Sequence, residues 1–268
     1  MELSMEKGKS YTTISLRSLA GWLKVTLDRP LQNNSLNATV LHELHSMMDD
    51  AEQDPSCRII LIEGHEGVFC TGMDLKSIVD ESGAGTDAGK EFCELFMHLL
   101  KRISASPKIV VAFIDGVVMA GGVGVAAACD FVLATSRAKF NLSELLWGLL
   151  PSMVIPYLIR RIGYQRAYTM TLSTLPVSAE QAYGWGLVDE VTERPEEYIH
   201  KLSQRVVKMD EGSIKNAKEY FRKMWLISDS MERTAIAATS GLLQQDNVMQ
   251  ALYNYVRHDR FPWEKHDH

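Results

Sequence analysis

Two features in the stretch Ala112 to Glu144 could do chemistry together. The first is a run of small residues, Ala120-Gly121-Gly122-Val123-Gly124, that passes directly into Val125-Ala126-Ala127-Ala128. Glycines let backbone approach a ligand closely, and the start of a helix leaves N–H groups unpaired and favours negative charge. The second is Glu144, the next downstream carboxylate with a definite place in the pattern, able to take or give a proton. Amide donors aimed at an oxyanion, with an acid or base nearby, make the framework of an active site. The same small residues would also serve as a packing device where a strand runs into a helix. They have neither the G-x-G-x-x-G spacing of a dinucleotide loop nor the Lys-Ser/Thr of a P-loop.

The elements that must position these groups follow from hydrophobic periodicity. Tyr11 to Arg17 and Trp22 to Leu27, separated by Leu19-Ala20-Gly21, predict a β-hairpin that ends at Asp28-Arg29-Pro30. Asn37 is placed to cap a helix that buries Val40, Leu41, Leu44, Met47, Met48 and Ala51 and closes at Pro55. Arg58 to Glu63 and Ile109 to Ile114 are continuous apolar runs of strand length, as expected for strands covered on both faces. Gly64 to Leu75 reads as a loop, and so does Asp80 to Gly89, whose composition predicts a mobile segment shaping a pocket entrance. A helix resumes near Glu91 with Phe92, Leu95, Phe96, Leu99 and Leu100 on one stripe. Beyond Glu144, Pro151 starts a helix that Gly163 ends, and Arg166 to Leu172 forms another. Ser178-Ala179-Glu180-Gln181 is a capping-box pattern, and Gly186 to Val191 returns to extended chain. From Glu196 on, the pattern is helical, punctuated by Gly212 and Ser228. Strands alternating with helices, then helices alone, predict an α/β fold with residues 1–195 as core and 196–268 as a helical C-terminal region for oligomerisation and pocket cover.

Composition excludes some functions. A formal net charge of -6 over 268 residues argues against nucleic acid as the main ligand. Cys57, Cys70, Cys93 and Cys129 have no C-x-x-C spacing and fit free thiols in a reducing compartment. With no apolar signal core and no run of membrane-spanning length, a cytoplasmic protein without membrane contact is expected. His42 and His45 lie at i, i+3 on the first helix but lack a third ligand, so they read as exposed polar positions, and no metal is expected.

Several motifs occur in a telling order: Leu27-Asp28-Arg29-Pro30 with Asn34-Ser35-Leu36-Asn37; Phe69-Cys70-Thr71-Gly72-Met73-Asp74-Leu75; Asp115-Gly116 through Ala120-Gly121-Gly122 to Cys129-Asp130; Phe140 through Glu144 to Gly148 and Pro151; and Ala179 to Val191. In these the chain resembles the crotonase, or enoyl-CoA hydratase/isomerase, superfamily from about Trp22 to Val191. The resemblance implies a spiral ββα core and an acyl thioester substrate on a pantetheine arm, with no further cofactor. It implies that the N–H groups of Met73 and Gly121 hold the thioester oxygen as an enolate, with Gly72, Asp74 and Gly122 around the substrate. It also implies a homotrimer or dimer of trimers.

Hydratases of this family use two glutamates. By position the first falls on Gly124, which has no carboxylate, and the second on Glu144, which is retained. Single-glutamate members include the Δ3,Δ2-enoyl-CoA isomerases. The Cys-Thr-Gly-Met-Asp loop, the Ser173-Thr174-Leu175-Pro176 turn and the Phe261-Pro262-Trp263-Glu264 ending are most similar to the dehydratases of the polyketide β-branching cassette. Those convert 3-hydroxy-3-methylglutaryl on an acyl carrier protein to 3-methylglutaconyl. Many coenzyme A users carry a lysine after the Arg-Pro; here Leu31-Gln32 follows, which points toward an acyl carrier protein. Lys215, Lys218 and Arg222 share a helical face that fits either an acidic partner or plain solvent. Lys76, near Met73, is a candidate for the substrate carboxylate but reads better as a solvated lysine; His65, His98 and Tyr168 have no assigned place. A scaffold that merely binds acyl-pantetheine is the non-enzymatic alternative.

Overall fold

A computed structural model describes residues 10–65, 67–82, 88–225 and 227–264. In chain order the strands are β1 (Ile14–Leu19), β2 (Trp22–Leu27), β3 (Ile59–Glu63), β4 (Val68–Cys70), β5 (Ile109–Ile114), β6 (Val117–Met119), β7 (Phe131–Ala134), β8 (Lys139–Asn141), β9 (Val177–Ser178) and β10 (Glu190–Val191). The helices of the first part are α1 (Ala38–Gln53), α2 (Leu75–Ser82), α3 (Ala88–Ala105), α4 (Gly121–Ala128), α5 (Ile155–Ser173) and α6 (Ala179–Trp185). Four more follow: α7 (Pro195–Val206), α8 (Glu211–Lys223), α9 (Asp229–Leu243) and α10 (Asp246–His258). Two 3-10 turns, Pro30–Gln32 and Glu144–Trp147, complete the list of described elements.

The strands form a six-stranded sheet in the order β1-β2-β3-β5-β7-β10 and a four-stranded sheet in the order β4-β6-β8-β9. Successive turns of chain each give one strand to the first sheet, one to the second and then helix: β3-β4-α2-α3, β5-β6-α4, β7-β8-α5. This is the spiral ββα arrangement, followed by C-terminal helices. The hairpin β1–β2 turns at Ala20-Gly21, where Gly21 has φ 85, a conformation only glycine adopts without strain. Asn37 caps α1 by accepting the Val40 N–H at 3.0 Å, and the six apolar positions expected on that helix are its buried residues.

β3 explains itself by alternation across two cores. Ile60 and Ile62 face the main core, while Ile59 and Leu61 face a second cluster with Val111, Leu133, Ile199, Val206 and Ile214. Side chains of a strand point alternately to opposite faces, so a strand buried on both is apolar throughout. The back of the larger sheet is closed by α7 and α8, which supply Ile199, Val206 and Ile214. α8 is held there by Lys108, wholly buried, which pairs with Glu211 at 2.5 Å. Among the described residues no helix is long and apolar enough to cross a membrane.

Several elements differ from the sequence expectation. The first strand runs Ile14–Leu19 rather than from Tyr11, and the helix placed at Pro151 begins at Ile155, after a turn at 152–154. Gly163 does break the helical path inside α5, with φ 76 and ψ 166. Asp80 to Gly89 is not simply a loop: Asp80 lies in α2, α3 already begins at Ala88, and 83–87 lie outside the described residues. Gly212 sits in the first turn of α8, which Asp210 caps, whereas Ser228 caps α9. The short strand β4 occupies a segment read as loop, and β6 one for which no element was expected; three residues are too few to show a period.

Candidate active site

Two loops are pinned together before any catalytic group is reached. Arg29 donates through Nη1 to the Ser35 carbonyl at 2.6 Å and through Nη2 to Asp74 Oδ2 at 2.8 Å. Asn34 receives the Arg29 N–H at 2.9 Å and donates to the Val68 carbonyl at 2.6 Å. Leu36 runs beside Met73, donating to the Gly72 carbonyl at 2.7 Å and accepting from the Asp74 N–H at 2.8 Å. These bonds use the backbone on either side of Met73 and leave its own N–H out of the ladder.

That loop is pressed against the start of α4. Gly72 has φ 88, and a Cβ there would lie 2.6 Å from Ala120 Cβ and 3.0 Å from Gly121 N. At Gly122 a Cβ would lie 2.5 Å from the Cys70 carbonyl oxygen. Both glycines are thus required by close approach of backbone to backbone. Ala120, just before α4, takes φ 49 and ψ -123, unusual for a residue with a side chain. Its N–H is fixed to the Asn141 carbonyl at 2.9 Å. Among the described residues, neither the Met73 nor the Gly121 amide donates to a protein acceptor. Gly121 is the first residue of α4, where an N–H has no intrahelical partner and the helix favours negative charge.

Met73, Ala120 and Gly121 line one small cavity with Glu144. Phe92 and Phe96 of α3, Leu149 to Pro151, Met153, Val154 and Thr239 of α9 complete it. Glu144 opens the 3-10 turn Glu144–Trp147, which Gly148 closes with φ 72. Its Oε2 is buried and has no hydrogen-bond partner among the described residues. Burial pushes its carboxyl up to about 7, against the opposing pull of its own N–H and that of Ser143. A carboxyl that titrates near neutrality and aims into an apolar cavity is suited to both taking and returning a proton.

The position of the family's other glutamate is filled by packing. A Cβ at Gly124 would lie 2.9 Å from Val154 Cγ2, 3.4 Å from Phe96 Cζ and 3.6 Å from Leu100 Cδ1, so a side chain there requires Val154 to give way. Of the substrate-contact candidates, Gly72 and Gly122 stand behind the two amides. Asp74 does not line the Glu144 cavity: its carboxylate is taken by Arg29 and by the Ser77 N–H at 3.2 Å. Lys76 and Tyr168 are exposed and outside that cavity.

Other polar groups also have specific places. Lys218, expected on a face open to an acidic partner or to solvent, is turned inward, bonding Asp130 at 2.6 Å and the Lys108 carbonyl at 2.7 Å. His42 is exposed, whereas His45 is half-buried, 3.2 Å from the Leu95 carbonyl and with its ring 5.0 Å from that of His98. His65 lies 3.6 Å from Asp28. All four cysteines are buried free thiols. Sequence reasoning missed Met153, Val154 and Thr239 as pocket residues. Phe92 and Phe96 were visible only as an apolar stripe, and nothing marked Thr239, which reaches the pocket from a distant helix.

Comparison with known proteins gives the family of the chain. The sequence matches the family described as Enoyl-CoA hydratase/isomerase over residues 18–266. It is 31% identical to bacillaene synthase dehydratase PksH of Bacillus subtilis over 255 residues, covering 95% of this chain and 98% of that one. It is 32% identical to 1,2-epoxyphenylacetyl-CoA isomerase of Escherichia coli over 175 residues, 65% of this chain and 67% of the relative. The crystal structure of a Bacillus subtilis protein described as a polyketide biosynthesis enoyl-CoA hydratase (pksH) superposes with a TM-score of 0.86 at 30% identity, covering 94% of this chain and 100% of the other. The chain therefore belongs to the enoyl-CoA hydratase/isomerase family, as a crotonase-type hydro-lyase that acts on acyl thioesters.

Proposed function

We propose that this enzyme removes water from a 3-hydroxyacyl thioester, converting 3-hydroxy-3-methylglutaryl on an acyl carrier protein to 3-methylglutaconyl during polyketide β-branching. The observation that carries this reading is the one carboxylate in the cavity lining, Glu144, whose Oε2 has no partner among the described residues, placed with Met73 and Gly121 while Gly124 is packed against Val154. The thioester oxygen would accept from the Met73 and Gly121 amides, lowering the cost of an enolate at C2. Glu144 takes the C2 proton, the C3–O bond breaks, and the same carboxyl returns a proton to the departing hydroxyl, so that water leaves. One residue can serve both steps when the two groups depart from the same face.

Further features support this substrate. Leu31, 92% exposed, stands where many coenzyme A users of the family carry a lysine, so a phosphate contact is absent and a carrier protein is favoured. The similarity to bacillaene synthase dehydratase extends over nearly the whole chain. In this reading the enzyme works in the cytoplasm as a homotrimer or dimer of trimers, with residues 196–268 serving assembly and pocket cover, and needs no cofactor beyond the substrate's pantetheine.

A second reading, Δ3,Δ2-enoyl-CoA isomerisation, is favoured by the same lone carboxylate. One assay separates the two: 3-hydroxy-3-methylglutaryl on an acyl carrier protein and on coenzyme A, and a 3-enoyl-CoA, are each incubated with the enzyme and followed by mass. Loss of 18 Da, the mass of one water, from the carrier-protein substrate is expected; double-bond migration without dehydration would replace this reading with the second.

A further inference from the structure

The last described residues of the chain reach back to the turn that carries Glu144. At the end of α10, Asp259 adopts a left-handed conformation with φ 53 and donates its N–H to the Tyr255 carbonyl at 2.8 Å. The chain reverses there, and the Phe261 N–H bonds to Glu264 Oε2 at 3.1 Å, closing a short turn. This reversal sets Phe261 and Trp263 against Trp147, with ring centroids 6.0 and 5.6 Å away. Tyr255 meets the same indole edge-on at 4.9 Å. Phe261 also stacks on Trp263 at 4.9 Å and lies 5.0 Å from Tyr255, so the four rings form one cluster.

Trp147 is the last residue of the turn that Glu144 opens. The backbone between them is tightly bound: the Gly148 N–H donates to the carbonyls of Glu144 and Leu145, and the Leu149 N–H to that of Glu144 at 3.0 Å. α10 also packs on this turn, since a Cβ at Gly148 would lie 3.3 Å from Val248 Cγ2. The carboxylate itself is held only from the backbone of this turn: its own N–H and that of Ser143 bond to it, and Oε2 has no partner among the described residues. No side chain aims it; the backbone path of this turn does.

We propose that Phe261 and Trp263 are positioning residues for Glu144, acting through Trp147 to hold the Glu144–Trp147 turn at the mouth of the catalytic cavity. The inference rests on the reading of Glu144 as the acid–base group. Neither ring lines the cavity, and Trp263 is 51% exposed, so neither is placed to touch substrate or to serve mainly as core. Their contribution is geometric: a carboxylate displaced by about 1 Å from its proton can cost about a hundred-fold in rate.

The test uses the full-length chain and 3-hydroxy-3-methylglutaryl on an acyl carrier protein. Trp263→Ala is expected to lower kcat by about 10- to 100-fold with KM within about two-fold, and Trp263→Phe, which keeps a ring against Trp147, to recover most of the loss. Should Trp263→Ala fail to accumulate folded, Phe261→Leu, which keeps apolar bulk without the ring, is expected to show the same pattern of kcat lowered at unchanged KM. Glu144→Gln is measured alongside. Wild-type kcat in the ring-deleted variant beside an inactive Glu144→Gln overturns the clamp alone. Equal losses in Trp263→Ala and Trp263→Phe, or a loss that falls on KM, also overturn it. Wild-type dehydration by Glu144→Gln overturns the clamp together with the reading beneath it.

Discussion

Arg29 Nη2 lies 2.8 Å from Asp74 Oδ2, joining two loops that are 45 residues apart in sequence. Both side chains are almost out of solvent, at 14% and 10% exposure, and the pair stands immediately beside Met73. The ion pair thus secures the loop that presents the Met73 amide to the cavity. Burial alone would raise the Asp74 carboxyl, but Arg29 and the Ser77 N–H outweigh it and hold it below the usual carboxylate range. A carboxyl lowered by folding stabilises the protein above its unfolded pKa of about 3.9, and that contribution is lost as pH falls through the folded value. Asp74→Asn is expected to cost about 1–3 kcal/mol at pH 7, leaving Arg29 without its counter-charge. The deficit should shrink below about pH 4, where the wild type loses the same interaction. Urea denaturation of both proteins at pH 7 and at about pH 3 measures this.

Gly72→Ala tests the approach of the two amides. The added methyl would meet Ala120 Cβ at 2.6 Å and Gly121 N at 3.0 Å, at a backbone φ of 88 that disfavours alanine as well. The loop must then move away from α4, separating Met73 from Gly121. A fall in kcat of about 10²–10³ is expected, the size of losing one oxyanion donor. Steady-state rates together with a thermal melt decide it: unaltered kcat in a folded variant would mean that the spacing of these amides is not what drives the reaction.

How much of this could be read from residue order depends on the range of the interaction. The buried face of α1 was legible because six apolar positions recur at helical spacing and Asn37 caps them. β3 and β5 were legible because burial on both faces makes a strand apolar throughout. By contrast β4 and β6 have only three residues each, and their placement depends on pairing with each other and with β8. The motifs located Met73, Gly121 and Glu144, but no local pattern could show that Asp74 is spent on Arg29. Nor could it show that Lys218 finds Asp130, 88 residues away, instead of solvent. The link from Trp263 to Trp147 is of the same kind, since its partners are set by the reversal at Asp259.

Restoring the family's other carboxylate at Gly124 should fail. Glutamate there would start from a Cβ 2.9 Å from Val154 and carry its charge among Phe96 and Leu100, with no cation nearby in the cavity lining. Even Gly124→Ala overfills this contact and is expected to destabilise the fold by about 1–3 kcal/mol. Gly124→Glu, adding an unpaired buried charge, is expected to cost more and to give no gain in hydratase activity. Pairing Gly124→Ala with Val154→Ala, which makes room, should recover part of the loss in a thermal melt; additive losses would show that the steric account is wrong.

Glu144 offers a prediction in which activity and stability move in opposite directions. Its carboxyl titrates at about 7 in the folded protein, raised by burial from 4.5. Acting as base, it is ionised above that value, so kcat/KM should rise through about pH 7 and level off above it. In the unfolded chain the same group ionises near 4.5, so between the two values the folded state holds a proton that the unfolded state has released. Stability therefore falls as pH rises across that interval. The interval, at about 1.4 kcal/mol per pH unit, amounts to on the order of 3 kcal/mol. Glu144→Gln, which cannot ionise, should lose about 10²–10⁴ in rate and yet be more stable than the wild type at pH 8, with little difference at pH 4. Denaturation curves of the two proteins at both pH values test the stability arm. A variant no more stable than wild type at pH 8 would mean that the carboxylate is already compensated within the cavity, and the acid limb of the rate profile would then have to belong to another group.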